Sequence, residues 1–297
     1  MMESQRDVFF NNLLTEALQD SSIFLLSADM GAPSLDEWKF FLPHRCINTG
    51  VAEANTIGMA TGLAKLGNIV YVYSITPFIT SRCYEQIKLG PCLHNLPVII
   101  LGMGAGFSYS EAGPTHHALE DLQIMSALPN LQIVTITDTS MAEFFAHNSP
   151  LGDGPMYIRL DRTLREPIYE RFTKFKSSLA KLNWDWYGKV PVVLTYGDMV
   201  HRIKHADIPI LDMYMHPFNQ EELRKILLSS DYPYIIVEES TGYLFNLVVN
   251  TVGYLPLEHL RVAEMFKTPY LKRYDILESH ELDLDSLLSV IYQWVKN

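Results

Sequence analysis

Two unbroken runs of branched and apolar side chains, Val98-Ile99-Ile100-Leu101 and Ile133-Val134-Thr135-Ile136, constrain the fold most. A strand with one wet face alternates apolar and polar residues. Runs this uniform belong to parallel strands covered on both faces. Ile23-Phe24-Leu25-Leu26-Ser27 and Ile69-Val70-Tyr71-Val72-Tyr73 have the same character, and Cys46-Ile47-Asn48 is a shorter extended piece. Helical spacing fills the gaps. It runs through Val8, Leu14 and Leu18 along 7–19, and through Ile57, Ala60, Thr61 and Ala64 in the stretch ending at Leu66. A further helix is expected from Tyr84 to Leu89. Strands alternating with helices predict βαβ units and an open, mostly parallel α/β sheet.

A second set of elements follows. Val190 to Tyr196, Ile208 to Asp212 and Tyr234 to Val237 read as strands. Asn219 to Leu228 reads as a helix capped by Asn219, with Glu221 and Glu222 in its first turn. Only Met199 to Asp207 separate the first two of these strands, too few for a crossover helix of ordinary length, so this unit is expected to be abridged. Thr163 to Lys189 is charged and aromatic without a period: Arg165, Glu166, Glu170, Arg171, Lys174, Lys176, Lys181, Trp184 and Trp186. It reads as a connection with some structure of its own. The chain has 297 residues, more than one core ordinarily holds. The expected division is a first domain over 1–170, a linker over 171–188 and a second domain over 189–297.

Charge and composition narrow the function. A net charge of −11 has the wrong sign for a nucleic-acid surface. Cys46, Cys83 and Cys92 are too few for a disulfide framework and suit a reducing compartment. No Cys/His cluster has zinc spacing. Met1 to Asn12 is polar and carries early acids, unlike a signal peptide. No apolar run reaches the ~18 residues that span a bilayer. A cytoplasmic protein is expected, with no nucleic acid, no membrane and no metal site of its own. Gly102, Gly104 and Gly106 lack the spacing of a dinucleotide loop. Gly152-Asp153-Gly154 falls in a loop after Ser149-Pro150 and reads as a turn.

The residues able to carry chemistry lie in two blocks. Gly50-Val51-Ala52-Glu53-Ala54-Asn55 sets one carboxylate among small apolar neighbours, after a strand and at a helix start. Gly113-Pro114-Thr115-His116-His117-Ala118-Leu119 sets two adjacent imidazoles on a turn. Between them a strand runs into Tyr73-Ser74-Ile75-Thr76-Pro77-Phe78. Taken singly, Glu53 would be a first-turn helix acid, Phe78 a core aromatic and Arg162 a solvated charge.

In this order, carboxylate, ring and histidine pair resemble the pyrimidine-binding half of thiamine diphosphate enzymes. The nearest likeness is to transketolases and 1-deoxyxylulose-5-phosphate synthases, good over 1–170 and loose over 188–297. The resemblance implies two open, mostly parallel-sheet α/β domains: a pyrimidine-binding domain and an abridged transketolase C-terminal-like domain. It implies that Glu53 bonds a nitrogen of the cofactor's aminopyrimidine and activates it, a task for one buried carboxyl. Phe78 would hold the pyrimidine ring, and Ile75 stands where transketolases often carry a second aromatic. Pro77 is also unusual in that turn. Asp29, at the end of the first strand, resembles a family acid near the cofactor. His116 and His117 would meet substrate oxygens whose charge changes during addition and cleavage. Arg82, Arg159 and Arg162 would take a phosphate or carboxylate of the substrate; Tyr157-Ile158-Arg159-Leu160 is similar to a family segment. Ala112 stands where many transketolases carry an aspartate that reads a substrate hydroxyl.

A full transketolase also has a diphosphate-binding domain, and this chain begins at the pyrimidine domain. The resemblance therefore implies a partner: an N-terminal diphosphate-binding subunit of similar size, carrying the Mg²⁺ ligands, in a heterotetramer of two plus two. The expected activity is transfer of a two-carbon ketol unit between sugars or sugar phosphates. Two other readings stay open: a decarboxylating carboligase of the 1-deoxyxylulose-5-phosphate synthase type, and a non-catalytic scaffolding subunit.

Overall fold

The computed structural model describes residues 4–173, 178–184, 190–206, 208–228, 233–267 and 270–295. Six strands of the first half, β1 (Ile23–Ser27), β2 (Cys46–Asn48), β3 (Ile69–Ile75), β4 (Val98–Met103), β5 (Gln132–Thr135) and β6 (Met156–Leu160), pair in parallel. The second half contributes β7 (Ala180–Leu182), β8 (Val192–Thr195), β9 (Ile210–Asp212), β10 (Met215–His216), β11 (Tyr234–Glu238) and β12 (Glu258–Arg261). The larger sheet runs β10-β5-β6-β4-β3-β1-β2 and the smaller β12-β11-β8-β9-β7. Among the described strands, β10 and β7 alone pair antiparallel.

The uniform strands are buried on both faces, as their composition requires. On β3, Tyr71 and Tyr73 point into one apolar cluster with Phe9, Phe10 and Trp38; Val70 and Val72 point into another with Leu26, Ile57 and Ala60. The second cluster does not stop at the first sheet. It continues through Met125 and Tyr157 into Leu194, Leu211 and Tyr234 of the second, and Val248 of the helix Tyr243–Val252.

Three features add to or refine these expectations. First, the stretch read as linker is built into both halves. Its Ala180–Leu182 forms β7 and pairs with β9. Phe172 is buried against Phe144, Phe145 and Tyr214. The backbone N–H groups of Ile168 and Tyr169 donate to Asp138, the N-cap of the helix Thr139–Asn148. Lys174, Lys176 and Trp186 lie outside the described residues. Second, the helix expected over Tyr84–Leu89 is a short α-turn, Tyr84–Ile87, passing into a wider π-turn, Lys88–Cys92. Pro91 explains the change: it has no N–H to donate and its ring crowds the preceding turn. Third, β10 crosses over to close the edge of the first sheet, with Met215 opposite Val134 and His216 opposite Ile133. The second unit is abridged, as expected: one short helix, Asp198–Ile203, joins β8 to its parallel neighbour β9. Asn219 accepts from the backbone N–H of Glu222 at 3.0 Å, the capping bond that its position predicted.

Candidate active site

A parallel sheet delivers the loops after its strands to one edge, which is where open α/β sheets bind ligands. Asp29 follows β1, Glu53 follows β2, Phe78 and Arg82 follow β3, His116 and His117 follow β4, and Arg162 follows β6. Local sequence turns each onto that edge. Gly50 adopts φ +75°, the left-handed region open to glycine, and lets β2 turn into the helix Glu53–Lys65. Glu53 is that helix's first residue and is 4% exposed. Pro77 sits in the first turn of the short helix Thr76–Ile79, where a missing N–H costs nothing.

Six side chains form a continuous row. Arg82 Nη1 donates to Glu53 Oε2 at 3.4 Å. The same guanidinium lies 4.2 Å from the centroid of the Phe78 ring. Phe78 meets the His116 ring edge-on at 5.0 Å. His116 lies 6.1 Å from Tyr109, whose other neighbour is the Arg162 guanidinium at 4.8 Å. The row thus runs carboxylate, cation, ring, imidazole, phenol, cation. Burial, and then the Arg82 charge, lowers His116 below the ordinary imidazole value, so its ring is neutral at pH 7. His116 Nδ1 lies 2.9 Å from the Thr115 hydroxyl.

His117 faces inward. Its ring is 4% exposed, meets Phe107 edge-on at 5.0 Å, and has Nε2 3.1 Å from the Ser110 carbonyl oxygen. That carbonyl only accepts, so Nε2 carries the proton and Nδ1 is a bare acceptor. Nδ1 is buried and has no partner among the described residues. Burial lowers this imidazole too.

Other expected site residues stand apart from the row. Arg159 does not reach the edge. It is 2% exposed, its Nε and Nη2 bond Asp121 at 2.7 and 3.0 Å, and Nη2 also bonds the Ala118 carbonyl at 2.7 Å. On β6 it shares a face with Tyr157, which also bonds Asp121, and both faces of the strand are covered. Asp29 is exposed, holds Asn48 at 2.9 Å, and lines a separate cavity of about 430 Å³ with Ser27, Lys39 and Cys46. Ile75 ends β3, half-buried, and caps the Thr76–Ile79 helix. Tyr109 is the row member that the sequence reading did not place among the site residues. Its signal was an aromatic a few residues past a buried strand end, next to a glycine: a Cβ on Gly104 (φ +98°) would run into its ring. Gly104 and Gly106 thus serve close packing rather than a nucleotide.

The site's fit to an aminopyrimidine rests on what Arg82 does. It is a flat, N–H-bearing plate laid over Phe78 that donates to Glu53, and both contacts are those an aminopyrimidine would make. Its side chain is 53% exposed. Among the described residues Glu53 has no other partner, so its bonding capacity is unspent. The residues therefore fit the pyrimidine end of the cofactor. For the metal, no group of three or more His, Cys, Asp or Glu among the described residues is arranged to hold an ion. No helix among them is long and apolar enough to cross a membrane.

Fold and edge define a two-sheet α/β protein with a row of polar and aromatic side chains along one edge of its larger sheet. The family pattern for the transketolase pyrimidine-binding domain matches residues 4–166, and the chain belongs to the transketolase family. It is 35% identical over 187 residues to a 6-deoxy-6-sulfo-D-fructose transketolase subunit of a Clostridium species, spanning 61% of this chain and 57% of that one. It is 28% identical over 264 residues to one of the subunits of the apulose-4-phosphate transketolase of Phocaeicola vulgatus, spanning 85% and 84%. In fold it resembles a split-gene transketolase solved as an inactive β4 tetramer, with a TM-score of 0.83 at 22% identity over 99% of this chain and 98% of that one.

Proposed function

We propose that the chain is the pyrimidine-binding subunit of a thiamine diphosphate-dependent transketolase. It would transfer a two-carbon ketol unit between sugars or sugar phosphates, in the cytoplasm. The row from Glu53 to Arg162 carries this reading. When bound, thiamine diphosphate supplies a nucleophilic carbon and a sink for the electrons of the broken carbon–carbon bond. Glu53 holds a proton at the aminopyrimidine ring nitrogen, from a site dry enough to keep that bond strong. Phe78 offers a flat apolar face once Arg82 has moved. His116, neutral and half open to the cleft, bonds a substrate oxygen as its charge changes. Arg162, stacked on Tyr109, and the displaced Arg82 are placed for the substrate's anionic end.

The diphosphate and its Mg²⁺ are assigned to a second, diphosphate-binding subunit in a two-plus-two assembly. The names of the two relatives, each a transketolase subunit, support this, as does the bare edge around Glu53, where Val51 is 75% exposed. The test is to co-purify the chain with its companion and assay ketol transfer with thiamine diphosphate and Mg²⁺. Glu53→Gln keeps the shape and removes the carboxylic acid. Turnover is expected to fall by about a thousandfold, with the assembly and its thermal midpoint unchanged. Full activity in Glu53→Gln would refute the assignment.

A further inference from the structure

The loop from Gly104 to Leu119 carries both histidines, yet much of what holds it comes from the second half of the chain. Arg273 opens the helix Arg273–Ser279 and is 12% exposed. Its Nε bonds Glu239 Oε1 at 2.9 Å and its Nη2 bonds Glu239 Oε2 at 2.5 Å. Its Nη1 bonds Asp161 at 2.7 Å and Thr163 at 3.0 Å, just past β6. Glu239 follows β11, and its Oε1 accepts the backbone N–H of Phe107 at 3.0 Å. Gly106, at φ +56°, lies so close to this carboxylate that a Cβ there would collide with it. Phe107 in turn packs edge-on with His117, and it stacks with His280, just past the Arg273–Ser279 helix, at 5.9 Å. Tyr270 lies against Gly113, at the start of the histidine turn.

We propose that Arg273 and Glu239 are positioning residues for the histidine turn: their pair fixes Phe107, and through Phe107 it fixes the ring of His117. The geometry favours this over a pure stability role. An ion pair serving only to join two domains has no need to take a backbone N–H from the loop beside the histidines. This bond is charge-assisted and buried, so it is strong and directional. The charged and titratable groups facing His117 are Glu239 and the adjacent His116, with Arg273 behind Glu239 and His280 beyond Phe107. The inference rests on the reading that His116, next to His117 on the same turn, serves ketol transfer, but its first test does not.

That test is nuclear magnetic resonance on the full chain, labelled in histidine and at backbone amides, with His117→Asn to assign the His117 ring. Arg273→Met should shift the His117 ring signals and speed exchange of the Phe107 amide by about tenfold or more, while amides of β1 and β3 keep their protection. Arg273→Lys, which keeps the charge, should recover most of both. In the assembled complex, Arg273→Met should lower kcat by about ten- to a hundredfold and move KM less than about twofold, as expected when a group is misplaced rather than lost. A wild-type His117 signal and Phe107 exchange in Arg273→Met would overturn the proposal. So would protection lost evenly across both sheets, the mark of a merely structural pair. If the ring and amide respond as stated but the wild-type complex transfers no ketol unit, the functional reading fails and the positioning holds.

Discussion

Arg159 and Arg162 sit close together on one segment, and removing them should have opposite effects. Arg159→Ala would leave Asp121, itself 1% exposed, without its cation. Breaking a buried pair from one side costs about 3–5 kcal/mol, which urea denaturation would register as a large drop in midpoint. Arg162→Ala should change stability by less than about 0.5 kcal/mol, as surface substitutions do, and act on substrate affinity instead. The row also makes a prediction about pH. Burial, and then the Arg82 charge, hold His116 down, so in the unloaded chain Arg82→Gln should move the His116 ring titration, read by nuclear magnetic resonance, upward towards the ordinary imidazole value of 6.5. A titration that stays in place would show that the Arg82 charge does not act on His116. At this scale the meeting of Glu53, Phe78 and His116 at one edge was legible because each sits in a short local motif. Arg159 was not, because its motif names the residue and not the face. Its strand, uniform and parallel, was nevertheless a warning: in such a strand either face is interior.

The elements meet at seams, and two seams can be tested. Gly104 lets β4 turn into the histidine loop with the Tyr109 ring against it. Gly104→Ala combines a left-handed backbone with that clash, so it should cost about 1–3 kcal/mol and displace Tyr109 from the row. The other seam joins β9 to the end of β5, where buried Asp212 takes bonds from the Thr137 hydroxyl at 2.7 Å and the Tyr169 hydroxyl at 2.8 Å. Burial raises its carboxyl from 3.8 to about 7. The folded chain therefore holds a proton that the unfolded chain releases. Stability from this group is fully present below about pH 4, is lost as pH rises towards 7, and then levels off. Asp212→Asn should remove that slope. Urea titrations at pH 5, 6, 7 and 8 should show the variant gaining on the wild type by up to about 1.4 kcal/mol per unit below pH 7 and no further above it. Strand positions were legible from composition. The π-turn before Cys92 and the pairing of β7 were not, since one follows from a single proline and the other needs a partner far along the chain.

The two halves share one apolar cluster, so they should not unfold in turn. Leu211, on β9, is fully buried within it. Leu211→Ala should cost about 2–5 kcal/mol. Amide exchange at Val70 in the first sheet and Ile236 in the second should both report that loss. If only Ile236 responds, the halves are separate folding units. Composition marked a boundary near 170 because the pattern of charge and period changes there. It could not show that the boundary is crossed, because the crossing is made by β10, a strand of only two residues with no period to read.

That crossing has a consequence for the chain during its synthesis. Until Met215 and His216 have been made, the backbone of β5 presents unpaired N–H and C=O groups along an open edge. The nascent first half would carry that edge for the time needed to translate some forty further residues. It would thus be a client for chaperones rather than a finished domain. A fragment ending at Thr173 should therefore self-associate through β5, and supplying the remaining residues as a second polypeptide should suppress it.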